Sequence, residues 1–98
     1  NMETKKLVGQ VTPEEKKEIQ QLFERRSGLN ELAKIVTADN SYLYEKLAND
    51  LGETCVKFQS WWDRMAAKYQ WESIDGGNWE INFDTSEIYL TKEDPRQP

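Results

Sequence analysis

The stretch from Ser41 to Trp71, SYLYEKLANDLGETCVKFQSWWDRMAAKYQW, decides the fold of this chain. Its apolar residues recur at steps of three and four, which is the spacing of one face of an α-helix. The pattern predicts a helix over 41–70, roughly 42 Å long at about 1.5 Å per residue. The predicted apolar seam consists of Tyr44, Leu47, Leu51, Cys55, Phe58, Trp62, Met65 and Tyr69.

A second helix is predicted upstream, over 12–37. It opens with Thr12-Pro13-Glu14-Glu15, where a threonine N-cap and a glutamate three residues later form a capping box. Ser27-Gly28 lies in its middle, and the glycine is compatible with a continuous helix, a kinked helix or a break into two helices. The turn-forming residues at 38–41 then connect the two helices into an antiparallel αα-hairpin.

The period changes from helical to alternating after Tyr69. Strands around 79–83 and 87–91 are expected to pair with Phe83 opposite Ile88, and a short strand at 71–74 is expected to complete a β-meander over 71–91. Residues 6–11 are a candidate edge strand. The polar end at 92–98 is predicted to be disordered. The whole chain is therefore expected to be one α+β domain.

Composition limits the class of protein. The 98 residues hold 13 basic and 18 acidic side chains, for a net charge of -5, so the positive surface of a nucleic-acid binder is missing. A single cysteine excludes an intramolecular disulfide and favours a cytoplasmic protein. No apolar run approaches the roughly 18 residues of a membrane span.

Nothing in the sequence predicts a catalytic residue, a cofactor site or a metal site, and we expect the protein not to be an enzyme. Histidine, the commonest general base, does not occur. Cys55 lies on the predicted seam, where a buried and inert thiol is the ordinary outcome. The helix carboxylates Glu45, Asp50, Glu53 and Asp63 are best explained as a solvated face.

The tryptophans are the candidate partner-binding residues: Trp61, Trp62, Trp71 and Trp79. Trp61 and Trp62 are adjacent on one helix, so both cannot point into the same core. Two interpretations remain open for Trp61: it packs under the sheet of its own chain, or it anchors a partner at an interface, where tryptophan is enriched.

Self-association is expected as well. A two-helix hairpin leaves apolar side chains beside the seam, such as Phe23, Leu43 and Val56. Two hairpins could bury them in a four-helix arrangement, and a closed two-fold dimer is the commonest solution. The sequence thus favours a homodimer.

Six segments spread over most of the chain form a set: KLVGQVT at 6–12, LFER at 22–25, LYEK at 43–46, WW at 61–62, KYQW at 68–71 and NWEINF at 78–83. Together they resemble the small proteins of CXXX repeat peptide modification systems. The resemblance implies an accessory role beside a radical SAM maturase and its ribosomally made precursor peptide, either of which would be the binding partner. It supplies no catalytic residues. An alternative is a structural or regulatory homo-oligomer of helical hairpins without a peptide-binding role.

Overall fold

The computed structural model describes residues 3–37 and 39–93. Its elements, in chain order, are β1 (Glu3–Gln10), α1 (Pro13–Ala33), α2 (Ser41–Tyr69), β2 (Asn78–Ile81) and β3 (Glu87–Glu93). The three strands form one antiparallel sheet in the order β1-β3-β2. The predicted α+β class is confirmed.

The described residues divide into two compact units. The first comprises those of 1–16 and 66–98 and contains the sheet, and the second comprises 17–65 and contains most of both helices. Buried side chains of the first unit include Val11, Trp71, Ile88 and Leu90. Those of the second include Ile19, Leu47, Thr54, Trp61 and Met65.

Helix α1 begins at the predicted capping box. The Thr12 amide donates to Glu15 Oε1 at 2.9 Å, and the Glu15 amide donates to Thr12 Oγ1 at 3.1 Å. The helix then runs without interruption through Ser27 and Gly28. Breaking it there would expose several backbone groups, which costs more than the roughly 1 kcal/mol that a helical glycine loses against alanine.

Helix α1 ends four residues earlier than predicted. The amides of Lys34 and Ile35 bind the carbonyls of Glu31 and Leu32, three residues back, which closes the helix with a tight turn. The Thr37 hydroxyl hydrogen-bonds the Asp39 carboxylate, and such local side-chain bonds compete with helix continuation. Ala38, within the predicted connector, lies outside the described residues.

Helix α2 has the predicted start and ends one residue early. The Asn40 side-chain oxygen accepts from the Leu43 amide at 3.3 Å, as an N-cap does. Gln70, predicted to be the last helical residue, has φ of 53° and so takes the left-handed conformation that commonly terminates helices.

The two helices of the second unit run antiparallel, as predicted. Arg64 pairs with Glu18 at 2.7 Å, which joins the end of α2 to the start of α1. Arg25 lies 3.7 Å from Asp50, further toward the connector. The Arg26 guanidinium also joins the two helices, since it stacks over the Phe58 ring at 4.1 Å from the ring centroid.

The seam of α2 differs from the predicted one at three positions, the first of which, Tyr44, is 52% exposed. Thr54 is 3% exposed while Cys55 is exposed, and Trp61 is 0% exposed while Trp62 is only half-buried. The centre of the packed face follows alternating steps of four and three, through Leu47, Leu51, Thr54, Phe58, Trp61 and Met65. The predicted seam takes two successive steps of four, from Leu47 to Leu51 and on to Cys55. Because an α-helix has 3.6 residues per turn, two such steps place Cys55 to one side of the packed face.

The predicted strand at 71–74 does not form. The Glu72 carbonyl accepts the indole N–H of Trp79 at 2.9 Å, and the Ile74 carbonyl accepts from the Gly77 amide at 3.0 Å in a turn. These bonds use carbonyls that a strand would have offered to a neighbour. The third strand of the sheet is instead β1, the candidate edge strand, which begins earlier than predicted and carries a bulge between Leu7 and Gly9.

The β2–β3 register is shifted by two residues from the predicted one, so Ile81 faces Ile88 and Trp79 faces Leu90. The Asn82 side chain causes the shift, because its Oδ1 accepts from the amides of Asp84 and Thr85 and closes a loop over 82–86. Lys92 and Glu93, predicted to be disordered, belong to β3, because β1 begins early enough to pair with them. Residues 94–98 of that predicted tail lie outside the described residues.

Candidate functional site

The four predicted partner-binding tryptophans differ in accessibility. Trp61 is fully buried and Trp71 is 8% exposed, whereas Trp62 and Trp79 are half-buried. Because a partner reaches only exposed atoms, Trp62 and Trp79 carry the accessible indole surface of the set. Trp61 contacts Trp62 edge-to-face, with ring centroids 4.9 Å apart.

The first unit contains a three-ring aromatic cluster, made of Tyr69, Trp71 and Trp79. Tyr69 and Trp71 stack in parallel at 5.5 Å, and Trp71 meets Trp79 edge-to-face at 5.5 Å. Gly9 on β1 makes room for this cluster, since a Cβ at that position would lie 2.5 Å from Trp71 Nε1. The cluster thereby braces the strand β1 from one side.

A polar cluster around Glu15 lies in the same unit. The side chain of Glu15 is 14% exposed, and its carboxylate accepts from Lys68 Nζ at 2.5 Å and from Tyr69 Oη at 2.5 Å. Burial acts to raise the pKa of Glu15, but the hydrogen bonds from Lys68, Thr12 and Tyr69 lower it to about 2. The bond to Glu15 raises the pKa values of both Lys68 and Tyr69. The ionised Glu15 side chain therefore has a structural role, since it holds Lys68 and Tyr69 in place.

Strand β1 is the longer of the two edge strands of the sheet. Strand β1 pairs only with β3 among the described strands, so its other side is an open edge. Side chains from Thr4 to Leu7 are exposed. The opposite edge, β2, is only 4 residues long against 8 in β1.

Two lysines stand on this edge strand. The Lys5 ammonium lies 5.0 Å from the centre of the Tyr89 ring, and Lys6 pairs with Glu72 at 2.8 Å. Leu7, opposite Tyr89, is 51% exposed. The sequence predicted an edge strand here but not the grouping of Lys5 and Leu7 with Tyr89, because that grouping depends on the register between β1 and β3.

Cys55 is exposed on α2, which corrects the prediction of a buried thiol. We expect one equivalent of Ellman's reagent to react with the native protein at a rate close to that of the urea-unfolded chain. Cys55→Ser should abolish the signal and change the unfolding free energy by less than about 0.5 kcal/mol, as is usual for exposed positions. A thiol that reacts only after unfolding would contradict the exposed placement.

The described residues contain no group of three or more Cys, Asp or Glu side chains close enough to hold a metal ion. No helix in the described part of the chain is both long and apolar enough to cross a membrane. No family model, no curated protein and no solved structure matches this chain.

Proposed function

We propose that this protein is a non-catalytic binding module that adds an extended peptide to the open edge of β1. In this proposal it serves as an accessory protein of a ribosomal-peptide modification system and binds the precursor peptide or its radical SAM maturase. The observation that carries the proposal is the edge itself, 8 residues long and unpaired on its outer side by any described strand.

An open edge binds extended peptides because its alternate residues direct N–H and C=O groups away from the sheet. A peptide that pairs there gains main-chain hydrogen bonds, while side-chain pockets set its sequence preference. The exposed residues Thr4 to Leu7 precede the bulge, so they form the regular part of the edge. The three-ring aromatic cluster, which packs against Gly9 through Trp71, holds this strand in place before a peptide binds.

The side chains around the edge define the peptide. Lys5 and Lys6 favour a peptide that carries carboxylates, and the exposed Leu7 beside Tyr89 favours an apolar side chain between them. The same lysines oppose edge-to-edge pairing of two β1 strands, since like charges would meet. An acidic, extended segment with alternating apolar residues fits both requirements.

The biological setting rests on the segments that resemble the modification-system proteins, from KLVGQVT at 6–12 to NWEINF at 78–83. The first of these segments lies largely in β1, and it includes Lys6, Leu7 and Gly9. Its position supports a role for the edge in that setting. The genes on either side of the coding sequence test it, because a radical SAM gene and a Cys-x-x-x repeat precursor should be present.

Peptide capture is tested by titrating the isotope-labelled protein with the precursor encoded nearby. We expect the largest amide shift changes and the largest gain in exchange protection over residues 3–10. The double variant Lys5→Glu/Lys6→Glu should weaken binding at least about tenfold through charge repulsion.

Lys92→Glu is the matched control, because Lys92 is exposed on the same sheet but belongs to the central strand β3. It should leave binding near the wild-type value. Absence of heat and shifts with the precursor and the maturase, or equal losses in both variants, would overturn peptide capture at β1.

A further inference from the structure

The outer surface of the second unit has two shallow depressions of opposite charge. One, of about 400 Å³, has Arg25, Lys57 and Arg64 in its lining against a single carboxylate, Glu18. The other, also about 400 Å³, is lined by Glu45 and Asp50, against Lys46, together with Tyr42 and Asn49. A protein of net charge -5 thus concentrates three cations in one place.

Helix α2 contributes to both depressions from the same side. Since successive residues of an α-helix turn by about 100°, the α2 residues that line the two depressions fall within an arc of about 140°. Their centres are roughly 13 residues apart, which is about 20 Å along the axis. The acidic depression lies toward the start of α2 and the basic one toward its end.

Between the two depressions, Glu53 and Val56 lie within this arc of α2, and Gly52 lies at its margin, where a neighbouring helix could approach closely. Gly52 lies midway, and a Cβ there would have no atom of this chain within 4 Å. Val56, one turn later, is 69% exposed, and Tyr42 at the end of the surface is 77% exposed. A glycine leaves room for the backbone of a neighbouring helix to approach closely.

We propose that a second copy of this chain covers this surface, with its α2 antiparallel to the first around a two-fold axis near Gly52. Each acidic depression then faces the basic depression of the other copy. Because the contact is two-fold symmetric, the same attraction occurs twice and the assembly closes as a dimer.

The charges needed for this contact are available. Arg64 pairs with Glu18, Lys57 with Glu53 at 3.1 Å, and Arg25 with Asp50, but all six side chains are at least 35% exposed. Exposed ion pairs contribute little stability, so the cations can share or exchange carboxylate partners. Glu53, close to the proposed axis, is partly neutralised by its own Lys57.

The dimer surface is separate from the β1 edge in sequence and belongs to the other unit. Loss of dimerisation with retained peptide binding, or the reverse, would therefore distinguish failure of this inference from failure of the proposed function.

Sedimentation equilibrium of the full chain at micromolar to millimolar concentration tests the proposal. We expect a monomer–dimer equilibrium that weakens as salt is raised, since the contact is partly electrostatic. Lys57→Glu alone and Glu45→Lys alone should each raise the dimer dissociation constant at least about tenfold, because each reversal acts twice. Mixing these two variants should restore dimers as a heterodimer, since each then offers the charge that the other lacks.

Two matched controls separate this surface from general effects. Lys34→Glu changes a similarly exposed lysine that also pairs with a glutamate one turn earlier, and it should leave the dimer unchanged. Gly52→Gln should disrupt the dimer by bulk, while Gly28→Gln, at the other helix glycine with open space around it, should not. A monomer at all concentrations, or a dimer that is indifferent to the charge swap, would overturn the proposal.

Discussion

Replacing Trp61 by alanine is expected to reduce the unfolding free energy by about 4 kcal/mol, the largest effect of any single substitution considered. Trp61 is 0% exposed and is the largest fully buried side chain of the described residues. The substitution removes its burial and leaves a cavity that close-packed neighbours fill only partly. For a domain with a typical stability of about 5–15 kcal/mol, this is a large fraction of the total.

Trp62→Ala is the matched comparison, because the neighbouring indole is half-buried. It should cost about 1 kcal/mol, close to the average for point substitutions. Urea unfolding followed by far-UV circular dichroism measures both variants without depending on tryptophan fluorescence. Equal losses would contradict the difference in burial between the two indoles, and a larger loss for Trp62 would favour the predicted seam through Trp62.

Stability is expected to fall between about pH 4.5 and pH 2 because of Glu15. The carboxyl has a pKa of about 2 when folded, below the value of 4.5 that it takes without these partners. The unfolded chain therefore binds the proton first, and the stabilisation is fully present above pH 4.5 and disappears as pH falls toward 2. We expect a loss of about 2–3 kcal/mol, below the full linkage value because Lys68 is solvated and screened.

Glu15→Gln should lower stability at pH 7 by a similar amount and remove this part of the pH dependence. Glutamine can still accept from the Thr12 amide, but it loses the charged interaction with Lys68. Glu14→Gln, at an exposed position in the same helical turn, should change stability by less than about 0.5 kcal/mol. Urea titrations at pH 7, 4.5 and 3 measure the effect, and parallel curves for wild type and Glu15→Gln would refute the assignment.

The starts of both helices are readable from the sequence because their signals are local. The capping box at Thr12 and Glu15 and the N-cap at Asn40 involve residues within three or four positions of one another. The alternation around Trp79 and Ile81 likewise predicted a strand correctly. Helix ends were less accurate, since the end of α1 depends on local hydrogen bonds, such as that of Thr37 with Asp39, which composition does not rank.

The phase of the long seam needed the folded chain. Thr54 or Cys55, and Trp61 or Trp62, are neighbours of similar suitability for a helix interior by sequence alone. Only the packing of the hairpin decides that Thr54 and Trp61 are covered. The same reason limits the candidate site, because two of the four predicted partner-binding tryptophans, Trp61 and Trp71, are buried.

The sequence by itself determined two long antiparallel helices and an alternating C-terminal segment, since periodicity and capping are properties of neighbouring residues. Tertiary structure decided which side of α2 is buried, and it decided that β1, rather than residues 71–74, completes the sheet. It also decided the register of β1 against β3, which places Leu7 opposite Tyr89. The order of the sheet depends on contacts between residues more than 60 positions apart, such as Gly9 with Trp71 and Leu7 with Tyr89. The buried side of α2 depends on contacts between the two helices, such as that of Arg64 with Glu18. No local pattern encodes which of these contacts will form.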